Sequence, residues 1–240
     1  VLPKWDEWMK RWPTPKDLAK ASPAEVITAW GRLGYPRRAL RLHAAAQIIA
    51  EDFNNQVPED PAILQTLPGI GEYTAAAIAA FAFEKQTLVM DVNIRRLLTR
   101  VIDGNEHPKP APTVKEKASR LALQPSKNAH IWAAATMELG ALICTSKNPI
   151  CEQCPVIGQC NWRKNGYPKT DLVRKSQDWH GTDRKCRGTI VQALRENESL
   201  TENAIKKLWP DESQVEKALK TLQDDLLIEA IPRKRYRLPA

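Results

Sequence analysis

Apolar residues recur at helical spacing through most of the first 143 positions. Leu2, Trp5, Trp8, Met9 and Trp12 alternate with charged residues, a tryptophan stripe read as a packing face. Thr14-Pro15-Lys16-Asp17 opens a short helix. Ser22-Pro23-Ala24-Glu25 opens another, with Ser22 as cap, Pro23 in the first turn and Glu25 completing a capping box. That helix carries Val26, Ile27 and Trp30 and ends near Gly31. Over 39–53 the inward positions are Leu40, Leu42, Ala46, Ile49 and Ala50, and His43 falls on the helix surface. Asp60-Pro61 starts a further helix, and the Ala-rich run 73–83 reads as a buried one. Helices over 93–102, 114–123 and 128–143 complete the set, the last strongly apolar. The Pro-rich, charged stretch 104–113 is a loop. No segment here alternates as a strand should, so an all-α domain is predicted.

The pattern changes in the tail. Residues 161–185 are polar and basic, with Trp162, Tyr167 and Trp179 interspersed, and read as a linker. Helices follow at 189–195, 204–209 and after Asp211, the last with Val215, Ala218, Leu219 and Leu222 inward. Two short runs, 226–231 and 234–238, form a β-hairpin around Pro232-Arg233. Three helices and a basic hairpin make a winged-helix-like α+β unit. The predicted division is 1–143, a helical domain; 144–162, a cysteine loop; 163–187, a linker; and 188–240, the winged-helix-like domain.

Charge narrows the partners. Lys and Arg exceed Asp and Glu by enough to give a formal net charge of +8 over 240 residues, which favours a polyanion. No apolar run reaches bilayer-spanning length and no signal-peptide pattern opens the chain, so a cytoplasmic protein with no membrane partner is expected. Of five cysteines, four cluster as Cys144-x6-Cys151-x2-Cys154-x5-Cys160, and Cys186 stands alone. An odd, clustered set argues against a disulfide framework, and four soft thiolates suit zinc or an iron–sulfur cluster.

Two other stretches carry chemistry. Leu67-Pro68-Gly69-Ile70-Gly71-Glu72-Tyr73 lies between two predicted helices as a tight glycine hairpin. Gly69 and Gly71 would let backbone approach a phosphate, with the following helix aiming free N–H groups at it; an ordinary helix–helix turn is the plainer reading. Asp91-Val92-Asn93 follows, with Asp91 placed either as a helix cap or as a reactive carboxylate. Upstream, Leu33-Gly34-Tyr35-Pro36-Arg37-Arg38 is either a plain turn or an exposed aromatic beside a phosphate-binding pair.

The hairpin with Asp91 after it resembles the helix-hairpin-helix superfamily of base-excision DNA glycosylases, and the cysteine spacing resembles the [4Fe-4S] loop of its endonuclease III and adenine glycosylase branches. The resemblance covers most of residues 1–162. It implies a helix-hairpin-helix glycosylase fold, DNA gripped at Gly69 and Gly71, and a catalytic Asp91 oriented by Asn93. It implies a [4Fe-4S] cluster on Cys144, Cys151, Cys154 and Cys160 that ties down a loop meeting DNA, where Lys147 of the spacer is either a phosphate contact or a solvated loop lysine. Tyr35 would be an aromatic wedge in the base stack, beside Arg37 and Arg38. In the endonuclease III branch a Lys nucleophile stands where this chain has Tyr73. A phenol cannot form a Schiff base, so a monofunctional enzyme is expected. Tyr73, Asp91-x-Asn93, Leu33-Gly34-Tyr35 and the 137–144 segment Met-Glu-Leu-Gly-Ala-Leu-Ile-Cys together resemble the adenine enzymes. The implied activity is hydrolysis of adenine from mispairs with 8-oxoguanine or guanine, by a monomer acting on double-stranded DNA.

The resemblance also implies a general-acid Glu in a Gln-rich segment ahead of the tryptophan stripe. These residues contain no such segment and begin at Val1, so an N-terminally trimmed chain is expected, from which adenine departs poorly. The alternatives are a thymine mismatch glycosylase and a DNA-binding fragment without catalysis. The hydrolase-like tail that reads 8-oxoguanine in long-tailed relatives has no counterpart of that size here.

Overall fold

The computed structural model describes residues 2–170 and 181–240; Trp179 and the centre of the predicted linker lie outside the described residues. In chain order the helices are α1 (Leu2–Arg11), α2 (Pro15–Ala19), α3 (Pro23–Trp30), α4 (Arg37–Asp52), α5 (Pro61–Leu64), α6 (Glu72–Phe83), α7 (Val92–Leu98), α8 (Val114–Ala122), α9 (Ala129–Leu142) and α10 (Asn161–Lys164). The tail adds α11 (Asp183–Glu196), β1 (Leu200–Thr201), α12 (Glu202–Lys206), α13 (Glu212–Asp224), β2 (Glu229–Ile231) and β3 (Arg235–Arg237). The chain forms two compact units. One holds Val1–Pro58, Leu67–Gly69 and Lys175–Ala240; the other holds Glu59–Thr66 and Ile70–Arg174.

In the first unit, α2 and α3 open on full capping boxes at Thr14 and Ser22, each followed by proline in the first turn. Leu18, Val26, Ala39 and Ala46 form a small core under Trp8, Trp12 and Trp30. Trp8 meets Trp12 and Trp30 edge-on, at centroid distances of 5.0 and 5.7 Å. The tryptophan stripe is therefore only half a packing face: Leu2, Trp5 and Met9 are exposed. His43 is buried, not on the helix surface, and Leu42 is exposed. Helix α4 packs on both α2 and α3, so its inward arc is wider than one stripe predicts.

The tail belongs to the same unit. Its order of helix, strand, two helices and hairpin, with antiparallel strands ordered β1-β3-β2, is a winged helix. The two-residue strand β1 went unread because it is too short to alternate, and α11 begins ahead of the predicted boundary at 188. Ile190, Val191, Leu194, Ile205, Val215 and Leu222 form the tail core, and Ile27 of α3 is buried among them. Arg195 Nε donates to the Ile27 carbonyl at 3.1 Å. Cys186 lies in this core; burial pushes its thiol up to about 11, which makes it inert packing material.

In the second unit, Ala80, Val89, Ile94, Leu98 and Ala133 form the core between α6, α7 and α9. Helix α7 does not continue regularly to 102: it passes into a π-helical turn, Thr99–Asp103, stopped by Gly104 at φ 72°. The 73–83 helix is buried on its alanines only; Tyr73 and Phe81 are exposed. Likewise α9 buries Ala129, Ala133 and Gly140 while Ile131 and Leu142 face outward. Trp162, at the end of the cysteine loop, is buried under Arg100, whose guanidinium lies 4.5 Å from the ring centroid. No helix among the described residues is long and apolar enough to cross a membrane.

Arg95 grips Glu116 of α8 with two hydrogen bonds, at 2.7 and 2.9 Å. Those bonds, chiefly, hold the Glu116 carboxyl below its ordinary value near 4.5. A carboxyl with a lowered folded pKa adds stability above its unfolded value and loses it as pH falls through the folded one. Glu116→Gln is therefore expected to lower the melting temperature at neutral pH and to lower it less at about pH 3, by thermal denaturation at both. Equal losses at both values would show that the pair is not the cause.

Candidate active site and cysteine loop

Asp91 caps α7. Its Oδ1 accepts from the Asn93 and Ile94 amides at 2.9 and 2.7 Å, and its Oδ2 accepts from Asn93 Nδ2 at 2.9 Å. A carboxylate that takes up three donors at a helix N-terminus is held in one orientation. It is only part-buried, so it also faces outward. Tyr73, in the first turn of α6, lies close enough to Asp91 that the carboxylate raises its pKa, after the larger effect of burial. The phenol stays protonated and can donate but not attack. The structure thus brings Asp91, Asn93 and Tyr73 together.

Gly71 is the N-cap of α6 and, lacking a side chain, leaves the first-turn amides without a side-chain acceptor. A Cβ at Gly71 would meet nothing within 4 Å, so packing does not demand glycine there. Gly69 differs: φ is 81° and a Cβ would lie 2.8 Å from Arg41 Cβ, so the turn itself requires glycine.

Behind Asp91 lies a residue that the sequence did not single out. Arg96 is buried; it donates to Asn93 Oδ1 at 3.0 Å, to the Cys144 carbonyl at 2.8 Å and to the Gly140 carbonyl. One guanidinium thereby ties the amide that orients Asp91 to the end of α9 and the first cysteine. Gly140 permits this approach, because a Cβ there would lie 2.6 Å from the Asn93 carbonyl oxygen. Gly140→Ala is expected to force α7 and α9 apart and cost about 1–3 kcal/mol. Calorimetry checks it; an unchanged melting temperature would mean that the contact yields freely.

Cys144, Cys151, Cys154 and Cys160 line one cavity, closed by Leu97, Ile143 and Ile157. Arg100, one turn beyond Arg96, donates to Cys144 Sγ at 3.3 Å and to the Thr145 carbonyl at 2.7 Å. Among the described residues no three His, Cys, Asp or Glu side chains converge on a single metal ion. Lys147 is exposed on the six-residue spacer. Arg95, Arg96, Arg100 and Arg120 are all buried. For Arg95, Arg96 and Arg100 the only sequence signal was an arginine-rich stretch inside apolar helix, ordinarily a solvated face; Arg120 had none.

Tyr35, Arg37, Arg38 and Gly69 belong to the other unit. Tyr35 is 62% exposed in a left-handed conformation, φ 47°. Each of the two arginines has a neighbour within the unit: Arg37 Nη1 donates to Asp225 at 2.9 Å, and Arg38 lies 5.8 Å from the Trp30 ring centroid.

Residues 1–122 match the HhH-GPD superfamily of base excision DNA repair proteins. An adenine DNA glycosylase of Mycobacterium tuberculosis (strain ATCC 25618 / H37Rv) is 43% identical over 243 residues, covering 100% of this chain and 80% of that protein. The chain belongs to the adenine DNA glycosylases. The fold agrees: it superposes on a thermostable thymine-DNA glycosylase with a TM-score of 0.60 and 24% identity, over 68% of this chain and 76% of that one. A non-covalent endonuclease III–DNA complex gives a TM-score of 0.59 at 21% identity, over 69% of this chain and 77% of that one. At those identities the likeness shows the helix-hairpin-helix architecture alone, and the adenine glycosylase relatives carry the assignment.

Proposed function

We propose that the protein hydrolyses the N-glycosidic bond of adenine mispaired with 8-oxoguanine or guanine in duplex DNA, with Asp91 as the catalytic carboxylate. The observation that carries this is the half-open Asp91 carboxylate, fixed by three donors and set beside a phenol that cannot act as an amine nucleophile. Adenine extruded from the stack would present its sugar to Asp91. As the C–N bond breaks, the sugar gains oxocarbenium character, which an anion already in place stabilises without reorganisation. Asn93 holds the carboxylate, and Tyr73 donates toward it or the sugar. The bare first-turn amides of α6 and the open space at Gly71 fit a backbone phosphate. Lys147, Arg37 and Arg38 supply further charge for the DNA backbone, and Tyr35 fills the gap in the stack.

The four cysteines fit a [4Fe-4S] cluster. All four thiols line one cavity, and soft thiolates are the ligands such a cluster takes. The N–H donor from Arg100 suits a thiolate at Cys144. When bound, the cluster supplies a rigid tie for the 144–160 loop. Cys154→Ser is expected to reduce iron from about four per chain, with loss of visible charge-transfer absorbance. Stoichiometric zinc in the wild type would overturn the assignment.

Single-turnover release of adenine from an 8-oxoguanine:adenine duplex tests the activity. It is run with the chain and with the chain extended upstream by a Glu-bearing segment, since the leaving base needs a proton. Adenine release by either preparation is expected. Release of thymine from guanine:thymine duplex in place of adenine, or no release by either, overturns the reading.

A further inference from the structure

Within the first unit the tail holds the Tyr35 turn before, at and after the tyrosine. Helix α3, which enters the turn, has Ile27 buried in the tail core, and α4, which leaves it, packs Leu40 against the same core. Asp225, the C-cap of α13, accepts from Arg37 Nη1 at 2.9 Å through one oxygen and from Arg187 through the other. The Arg184 guanidinium of α11 lies over the Tyr35 ring itself, 4.4 Å from its centroid.

The turn needs such support. Gly34 and Tyr35 are both left-handed, at φ 79° and 47°. Glycine adopts that conformation freely, whereas a tyrosine keeps it only where its surroundings over-determine it. Two hydrogen bonds hold the backbone from inside: Trp30 Nε1 donates to the Gly34 carbonyl at 2.8 Å, and the Tyr35 carbonyl accepts the Arg38 amide at 2.9 Å. Neither bond reaches the aromatic ring. Tyr35 is 62% exposed, and an exposed side chain that must adopt one rotamer on binding loses conformational entropy. A cation over one face restricts that choice beforehand and leaves the opposite face for a base.

We propose that Arg184 is a positioning residue for Tyr35, through which the tail sets the aromatic ring ready to enter the base stack beside the mispair. The proposal rests on the reading of Tyr35 as the wedge, and gives the tail a part in mispair recognition that is exercised through that ring.

A double-mutant cycle on Arg184→Ala and Tyr35→Ala tests it. Dissociation constants are measured by fluorescence anisotropy on an 8-oxoguanine:adenine duplex and on a fully paired one. Insertion is followed on mixing by the fluorescence of 2-aminopurine, which rises on unstacking, placed on either side of the mispair in two further duplexes. Arg184→Ala is expected to weaken mispair binding by about 2- to 5-fold, the worth of a cation–π contact at an exposed site, and to lower the fluorescence rise. Binding to the paired duplex, where no ring is inserted, is expected to stay as in the wild type. In the Tyr35→Ala background, Arg184→Ala is expected to have no further effect. A loss equal on both duplexes, or one that persists without Tyr35, would make Arg184 a DNA contact in its own right and overturn the proposal. Wild-type behaviour of Arg184→Ala beside an impaired Tyr35→Ala overturns the positioning role alone. Wild-type behaviour of Tyr35→Ala sinks the wedge reading, and the positioning role with it.

Discussion

Replacing Asp91 with Asn is expected to reduce single-turnover adenine release by roughly 10³-fold, in whichever preparation releases adenine, with little change in melting temperature. The two outcomes separate because Asp91 serves two purposes. As a helix cap it needs only an acceptor for the Asn93 and Ile94 amides, and asparagine caps as well as aspartate does. As the group facing a developing oxocarbenium ion it needs its charge, which asparagine lacks. One local cost remains: the new amide nitrogen would face Asn93 Nδ2, donor against donor, so the Asn93 side chain must turn. Asp91→Glu keeps the charge but moves it by a methylene, and is expected to recover only part of the rate. The measurement is adenine release at saturating enzyme, beside thermal denaturation of the same preparations. An Asn variant with the wild-type rate would remove Asp91 from the chemistry.

Arg96→Leu is the second large effect. It leaves the Asn93 amide oxygen and the Gly140 and Cys144 carbonyls without their donor. Each unsatisfied buried acceptor costs about 1–3 kcal/mol, and because the three are coupled the total is expected near 3–5 kcal/mol. The loss would show on both sides of the guanidinium. Toward α7, Asn93 loses its anchor and Asp91 its fixed oxygen, so release is expected to fall by about 10²-fold. Toward α9, the loop bearing Cys144 loosens, and iron content should fall with it. Arg96→Lys keeps the charge without the planar fork and is expected to be intermediate in both readouts. A leucine variant that loses stability while keeping full iron and a full rate per folded molecule would reduce Arg96 to a packing residue.

What the sequence disclosed was mostly local. Caps at Thr14, Ser22, Asp60, Asp91 and Asp211 are legible because the acceptor and the amide it serves are two or three residues apart. The winged helix was legible from the change of period at 226–238, where alternation replaces helical spacing. The four thiols were legible because their grouping needs no tertiary information. What escaped was set by packing across long separations. Arg96 and Arg100 look like solvated helix arginines until α9 supplies the carbonyls at 140 and 144–145. His43 looked exposed until α4 was found wedged between two neighbours. The irregular turn at 99–103 has no glycine or proline inside it to announce it. Nor does any local pattern show that the tail shares a compact unit with residues 1–58.

The position of Ile27 bears on how such proteins can be dismantled. A fully buried isoleucine contributes roughly 1.5–3 kcal/mol, and this one contributes it to hydrophobic neighbours more than 150 positions later in the chain. Cutting the polypeptide after residue 180 would strip a greasy flank of α3 bare and withdraw the arginine that caps its carbonyl. The appendage is therefore not a detachable accessory, and shortened versions prepared for crystallisation should carry a polar residue at position 27 if they are to stay in solution.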